Sequence, residues 1–426
     1  MDVIHECCAG LDVHKKTVAA CVRRIGKGGK VISVVREFDT MTQGILQLGD
    51  WLAEQEVTHV AMESTGVYWK PIWNLLEERF TLLLCNARHV RNVPGRKTDV
   101  RDCQWLAQLL QYGLLTGSFI PPRPHREFRD LTRHRAQLTA EKTRVANRLQ
   151  KILEDANIKL SSVASDILGV SGRAMIEALI AGEEDPRALA ELARRKMRGK
   201  IPELRQALRG HMSDHHRYML RTLYDHLQYL ERLIAEMEER IDTLTRSQEL
   251  NEVPKDNDRP PFDEAVCLLD TVPGIDRCTA QAILAEIGTD MTQFPTAAHL
   301  ASWAGVCPGS NESAGKRKNG RTTKGNRWLM RVLTQVAWAA SHTKDTYLSA
   351  QYRRLAPRRG KKRAIIALAH SILVSIYHIL DQNVTYCDLG PEHFQNIAPA
   401  KRAKYLQKQL EKLGYTVTIE PKPLAA

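Results

Sequence analysis

Residues 8–22 read Cys8-Ala9-Gly10-Leu11-Asp12-Val13-His14-Lys15-Lys16-Thr17-Val18-Ala19-Ala20-Cys21-Val22. An apolar run ending at an aspartate, a His-Lys-Lys turn and a second apolar run predict two strands joined by a tight connection. Gly26-Lys27-Gly28-Gly29-Lys30 marks a hairpin loop into a third strand over 31–38. Beyond it the pattern alternates: helix 42–55, strand 57–62, helix 68–79, strand 81–85 and helix 98–112. Three strands in hairpin order followed by alternating helices and strands predict a mixed sheet covered by helices, an α/β domain.

Four carboxylates stand out within this region by placement. Asp12 ends the first strand, and Glu63 ends the 57–62 strand in Ala61-Met62-Glu63-Ser64-Thr65-Gly66. Asp99 and Asp102 lie three apart in Lys97-Thr98-Asp99-Val100-Arg101-Asp102, so at a helix start they share one face. Carboxylates at the ends of neighbouring strands can converge, and a helix face can close the cluster. Four such groups repel strongly unless cations lie among them. Two Mg²⁺ ions roughly 3.5–4 Å apart would balance them and clamp a phosphodiester. The competing reading is structural: a strand-end aspartate serves turns, and Asp99 suits a helix N-terminus. An actin-like ATPase also carries an early strand aspartate, but it needs glycine-rich phosphate loops that 26–29 match weakly.

The 426-residue chain is long enough for two cores, and its formal net charge is +13. Such an excess favours a polyanion, either nucleic acid or a membrane surface. The longest apolar run, 364–380, carries His370, Ser371, Ser375 and His378 and reads as a buried helix rather than a span. Nucleic acid is therefore the expected partner, with no membrane. Nine cysteines occur without any Cys-x-x-Cys pair, which disfavours structural zinc. The first ten residues show no signal-peptide pattern, so reduced thiols and a cytoplasmic location are expected.

Pro121-Pro122-Arg123-Pro124 interrupts the chain and suggests a boundary, giving a first domain over 1–122. A helical region over 123–255 follows, with Leu131, Leu138, Val145 and Ile152 seven apart. A second seam runs Leu220, Leu223, Leu227, Leu230, Ile234, Met237, Ile241 and Leu244, spaced three and four. It fits either a dimerising coiled coil or a long helix packed within its own domain. A helical C-terminal domain over 256–385 and a charged tail over 386–426 complete the expected order.

In that last domain, Thr271-Val272-Pro273-Gly274-Ile275-Asp276 suggests a helix-hairpin-helix turn able to hold a phosphate, or simply a tight interhelical turn. Asp276 stands where a second glycine is usual. Downstream, Gly309-Ser310-Asn311-Glu312-Ser313-Ala314-Gly315-Lys316 opens a stretch without acids from Ser313 to Arg331. It carries Lys316, Arg317, Lys318, Arg321, Lys324 and Arg327. Such one-sided density suits a loop on a phosphate backbone. A second basic cluster runs from Arg353 to Arg363, and Trp328 and Trp338 are expected in the core. Ser313 could act as a nucleophile on phosphorus, its developing charge offset by neighbouring cations.

Read together, these residues carry a resemblance. Met-Glu-Ser-Thr-Gly and Lys-Thr-Asp-x-x-Asp, with Asp12, resemble the RuvC-like domain of insertion-sequence transposases of the IS110 family. The Pro-Gly-Ile turn followed by Ser-Ala-Gly-Lys resembles that family's C-terminal domain. The resemblance implies an RNase H/RuvC-like α/β domain, a coiled-coil region and a mainly α-helical C-terminal domain with a helix-hairpin-helix-like turn. It implies an Asp12-Glu63-Asp99-Asp102 site for Mg²⁺ or Mn²⁺ and a serine, Ser313 before Ser310, that becomes linked to cut DNA. Lys97 and Arg101, beside the carboxylates, would touch nucleic acid with the basic loop. The implied partners are donor and target double-stranded DNA, a bridge RNA, and further copies of the chain as a dimer assembling to a tetramer. Ala314 and Asp276 depart from the family pattern. A Piv-type site-specific invertase and a hydrolytic RuvC-like junction nuclease are the alternatives.

Overall fold

The computed structural model describes residues 3–26, 29–63, 66–87, 90, 93, 102–251, 259–309, 311–313, 316–319, 322, 324–396 and 407–418. The chain forms two compact units, residues 1–121 and 122–426.

The first unit is a five-stranded sheet. Strands β1 (Cys7–Val13), β2 (Thr17–Ile25) and β3 (Val31–Asp39) are followed by helix α1 (Thr42–Glu54) and strand β4 (His59–Glu63). Helix α2 (Trp69–Leu76), strand β5 (Thr81–Cys85) and helix α3 (Asp102–Gln111) complete the unit. The spatial order is β3-β2-β1-β4-β5. β1, β2 and β3 run antiparallel, as the short turns require, whereas β4 lies parallel to β1 and β5 parallel to β4. The alternation of the strands supplies two apolar faces. Leu11, Val18, Val60 and Met62 pack with Ile45, Leu48, Leu52, Ile72 and Leu76 of α1 and α2. Cys8, Ala61 and Cys85 on the other face pack with Trp105, Leu106 and Leu109 of α3. This mixed, doubly covered sheet fits the α/β nuclease-like architecture expected from the sequence.

The second unit opens with the 33-residue helix α4 (Arg123–Asp155), which has a proline in its first turn where no backbone donor is needed. Small helices α5 (Leu160–Val163), α6 (Val170–Ala181), α7 (Pro186–Glu191) and α8 (Ile201–Ala207) lead to α9 (Asp214–Thr245). Ser213 caps α9 through a capping box with His216, whose Nε2 lies 3.0 Å from Asp155 at the end of α4. Leu138, Val145, Leu149 and Leu153 share one core with Leu220, Tyr224, Leu227 and Leu230. Over this stretch the heptad seam is covered by α4 of the same chain. Farther along, Asp242 accepts hydrogen bonds from Arg277 and Gln281, which ties the end of α9 to the C-terminal helices.

Those helices are α10 (Gln248–Asn251), α11 (Phe262–Asp270), α12 (Arg277–Ile287), α13 (Ala297–Ala304), α14 (Arg327–His342), α15 (Tyr347–Arg359), α16 (Lys361–Gln382) and α17 (His393–Asn396). A two-stranded hairpin, β6 (Asn311–Ser313) and β7 (Lys316–Asn319), stands between α13 and α14. α16 is long and apolar enough to cross a bilayer by composition. Its Leu368, Ala369, Ile372, Leu373 and Ile376 are fully buried within the unit. Gly274, at φ +90°, presses on α14: a Cβ there would meet Val336 O and Ala340 N at 2.8 Å. One expectation is corrected. Trp338 is 54% exposed rather than core, because α14 buries Leu333, Val336, Ala337 and Ala340 and turns Trp338 outward. The start of the tail is docked: Asp388 accepts from the Tyr347 amide at 3.0 Å, and Phe394 stacks on Tyr347.

Candidate carboxylate site and serine hairpin

The register of β1 on β4 pairs Gly10 with Ala61 and Leu11 with Met62. Asp12 and Glu63 are the next residues along, one before the end of β1 and the other at the end of the adjacent parallel β4. Alternation puts Asp12 on the face of Gly10, and Glu63 on the face of Ala61. That is the face covered by α3. A Cβ at Gly10 would lie 2.4 Å from Cys103 O and Ala107 N, so the strand backbone touches the helix backbone there. Asp102, the first residue of α3, is carried to this end of the sheet by that approach.

The fold thus brings Asp12, Glu63 and Asp102 to one end of one sheet face. Asp12 is half-buried, and its Oδ2 lies 3.2 Å from His14 Nε2. Glu63 pairs in register with Cys85, whose thiol is pushed up to about 12 by burial and, secondarily, by the Glu63 charge. Cys8 on the same face is likewise raised to about 12, chiefly by burial, so both thiols stay protonated at neutral pH. Lys97, Asp99 and Arg101 lie outside the described residues, and among the described residues no three His, Cys, Asp or Glu side chains form a metal-holding group. The expected side chains, Asp12, Glu63, Asp99 and Asp102, would offer only oxygen donors, the kind that Mg²⁺ takes. Gly10 is the residue that sequence reading missed. A glycine inside an apolar strand signals close backbone approach, and that signal was present in the pattern.

In the second unit, Ser313 is the last residue of β6 and pairs with Lys316, the first residue of β7, across 314–315. The expected basic loop is therefore a hairpin, with Ser313 beside its tip and Lys316, Arg317 and Lys318 on the return strand. Ser310 and Arg321 lie outside the described residues, and Lys324 and Arg327 are exposed where the chain enters α14.

The hairpin stands on a closed neck. Gly305 ends α13 at φ +79°, and a Cβ on Gly325 would fall 2.3 Å from Ala304 C and Gly305 N. Pro308 bridges to Thr322 between these points. Asn326 then caps α14, accepting from the Trp328 and Leu329 amides at 3.0 and 3.2 Å. Its Nδ2 donates to Glu286 at 2.6 Å. Glu286, with only 3% of its side chain exposed, also holds Arg133 of α4 in a two-pronged pair at 2.7 and 2.8 Å. Neither Glu286 nor Asn326 was singled out in the sequence, because their pairing joins α12, α4 and the hairpin exit across long separations. At the Pro-Gly-Ile turn, the Asp276 carboxylate accepts from Thr279 N at 2.8 Å and so occupies the start of α12 itself.

Comparison with known proteins agrees with this arrangement. Residues 9–158 match a transposase model of the IS110 type that is named for an Asp-Glu-Asp-Asp set. Residues 266–353 match a model described as transposase, IS116/IS110/IS902 family. The chain belongs to the IS110 family of transposases. Among curated relatives, an uncharacterised 43.6 kDa protein of insertion element IS110 from Streptomyces coelicolor is 31% identical over 121 residues. That alignment covers 28% of this chain and 29% of the relative. The pilin gene-inverting protein of Moraxella bovis is 29% identical over 130 residues, 30% of this chain and 40% of the relative. The chain thus spans less than half the length of either curated relative that it matches.

Proposed function

We propose that this member of the IS110 family is a DNA transposase that cuts and rejoins donor and target double-stranded DNA through a serine-linked intermediate. What supports the reading is the position of Asp12 and Glu63 near the ends of adjacent parallel strands, with Asp102 starting a helix packed on that sheet, in a chain whose second unit carries Ser313 in a hairpin whose return strand bears Lys316, Arg317 and Lys318.

Asp12, Glu63 and Asp102, with Asp99, would hold Mg²⁺ or Mn²⁺; a bound divalent cation there offsets phosphate charge. Ser313 Oγ forms a bond to phosphorus while a bridging oxygen leaves, and the serine proton ends on that oxygen as a free hydroxyl. The phosphodiester energy stays in the phosphoserine, and a hydroxyl end of another strand reverses the step. Lys316, Arg317, Lys318, Arg321, Lys324 and Arg327 would hold the DNA backbone around the serine, and Lys97 and Arg101 would do so beside the carboxylates. A bridge RNA would supply the sequence information by base pairing, as RNA guides do elsewhere. The assembly would place the carboxylate domain of one copy against the serine domain of another, in a dimer or tetramer working on DNA in the bacterial cytoplasm.

A second reading is favoured by one observation, the similarity to a pilin gene-inverting protein. An invertase would use the same chemistry at a fixed DNA site without RNA. The deciding experiment purifies the protein from its host, sequences copurifying RNA and runs DNA reactions on denaturing gels. A discrete RNA encoded beside the gene, together with a protein–DNA adduct, supports the guided transposase. An adduct without RNA moves the assignment to the invertase. Metal-dependent cleavage without any adduct overturns both in favour of a hydrolytic nuclease.

A further inference from the structure

Seven of the eleven residues from Arg353 to Arg363 are arginine or lysine, and no acidic residue occurs between Thr346 and Leu380. All seven are exposed. They surround the corner at Gly360, φ +82°, where α15 ends and α16 begins. Among the described residues none of the seven pairs with a carboxylate, and Arg354 alone has an aromatic neighbour, with its guanidinium 4.6 Å from the Phe394 ring centroid. The match to the family's C-terminal model ends at residue 353, so the cluster lies almost wholly beyond it.

A solvated face does not account for this arrangement. Arg358 and Arg359 suit the last turn of α15, where the helix dipole is negative. Lys361, Lys362 and Arg363 occupy the first turn of the 22-residue α16, where the dipole opposes them. Arg354 and Arg358 are also like charges four apart on one helix face. Charges placed against these local preferences, with no anion of the chain to offset them, call for an external polyanion. The segment from Arg353 to Arg359 extends about 9 Å along its helix. Duplex DNA presents a charge about every 1.7 Å of its axis, so several phosphates would face the corner. Residues 353–363 include no aromatic side chain, and the Phe394 ring beside Arg354 is already stacked on Tyr347, so the patch does not offer the row of stacking platforms that single strands need.

We propose that the α15–α16 corner is a second contact surface for the backbone of double-stranded DNA, separate in sequence from the serine hairpin and independent of base identity. The inference rests on the DNA-transposase reading for its choice of DNA over other polyanions.

The test uses the full-length protein and a fluorescent random-sequence 30-base-pair duplex, with dissociation constants measured between about 50 and 200 mM salt. The variant replaces Arg358, Arg359, Lys361 and Lys362 with alanine. A control variant removes the same charge elsewhere by replacing Arg144, Arg148, Lys151 and Arg232, all exposed on α4 and α9. The corner variant is expected to bind about tenfold more weakly, with a log–log salt slope about 2–4 units shallower, because each lost phosphate contact removes about 0.9. The control variant is expected to match the parent, and thermal melts should show both variants folded. An unchanged slope in the corner variant overturns the proposal. Equal losses in both variants reduce it to a net-charge effect, and a loss seen only with duplex or single-stranded RNA transfers the surface to RNA. Should the parent protein itself fail to bind duplex DNA, the transposase reading falls as well, which separates the two failures.

Discussion

Asn326 Nδ2 donates to Glu286 at 2.6 Å while the Asn326 side-chain oxygen caps α14, so one side chain ties the exit of the serine hairpin to a buried carboxylate of α12. The same carboxylate holds Arg133, and Arg129 donates to the adjacent Ala285 and Glu286 carbonyls. Burial lowers Arg129 to about 10, with the Glu286 charge partly opposing that shift. Replacing Glu286 with alanine would leave two guanidinium groups without their anion. A loss of about 3–5 kcal/mol is expected, read as a lower denaturant midpoint. Adduct formation by the surviving folded fraction should fall as well, since the hairpin neck loses its anchor.

The approach of α3 to β1 predicts the effect of Gly10→Ala. Its Cβ would meet backbone atoms at 2.4 Å, which no side-chain rotation relieves. A destabilisation of at least about 1–3 kcal/mol is expected, along with loss of DNA cleavage as Asp102 is displaced. Gly199→Ala, where the added carbon meets nothing within 4 Å, should melt close to the parent protein. Equal melting temperatures for Gly10→Ala and Gly199→Ala would show that the contact at Gly10 carries no weight.

Asp12→Ala and Asp102→Ala should each abolish DNA cleavage while leaving the fold intact, because both side chains sit at the accessible rim of the sheet face. Retained cleavage in either variant would remove that residue from the metal site. Ser313→Ala should prevent the covalent adduct and leave DNA binding near the parent level, measured by anisotropy. An adduct that persists would assign the nucleophile to another residue.

His125 supplies a pH signature. It is buried against Phe262, and burial, reinforced by the Arg259 and Arg129 charges, lowers it from 6.5 to about 4. The folded protein therefore resists protonation that the unfolded chain accepts. Above pH 6.5 both states are neutral there and the group has no effect. As pH falls from 6.5 towards 4, the unfolded chain gains a proton and stability drops. Between pH 7 and pH 5 the term amounts to about 2 kcal/mol. Urea titrations of His125→Phe should show a correspondingly smaller decline over that interval, and an identical decline would exclude the buried imidazole as its source.

Much of the first unit was legible from alternation alone. β1, β2, β3 and β5 fall where the apolar runs and turns predicted them; Glu63 ends β4 as expected, and Asp12 lies one residue before the end of β1. These features depend on neighbours a few residues away, which a periodic pattern records directly. Trp338 shows the limit of that reading: its apolar ring suggested core, but the helix face it occupies was set by which side of α14 meets α12 and α16. The heptad seam of α9 marked a packing stripe correctly without revealing that α4 covers much of it. An apolar stripe specifies that it must be covered, and not by what.

Residue type and order were therefore enough to establish the strand and helix pattern, the acidic residues at strand ends, the serine beside a dense run of cations, and the family resemblance. Four relationships required the folded chain. β1 had to lie beside β4 for Asp12 and Glu63 to fall on neighbouring strands, and Gly10 had to admit α3 for Asp102 to start a helix packed on that sheet face. Gly325 had to close on Gly305 to raise the hairpin on a neck, and Glu286 had to bind Arg133 and Asn326 together. Each joins residues widely separated along the chain, and its stability comes from burial and pairing that exist only after the intervening segments have folded. Local periodicity carries no record of such partners.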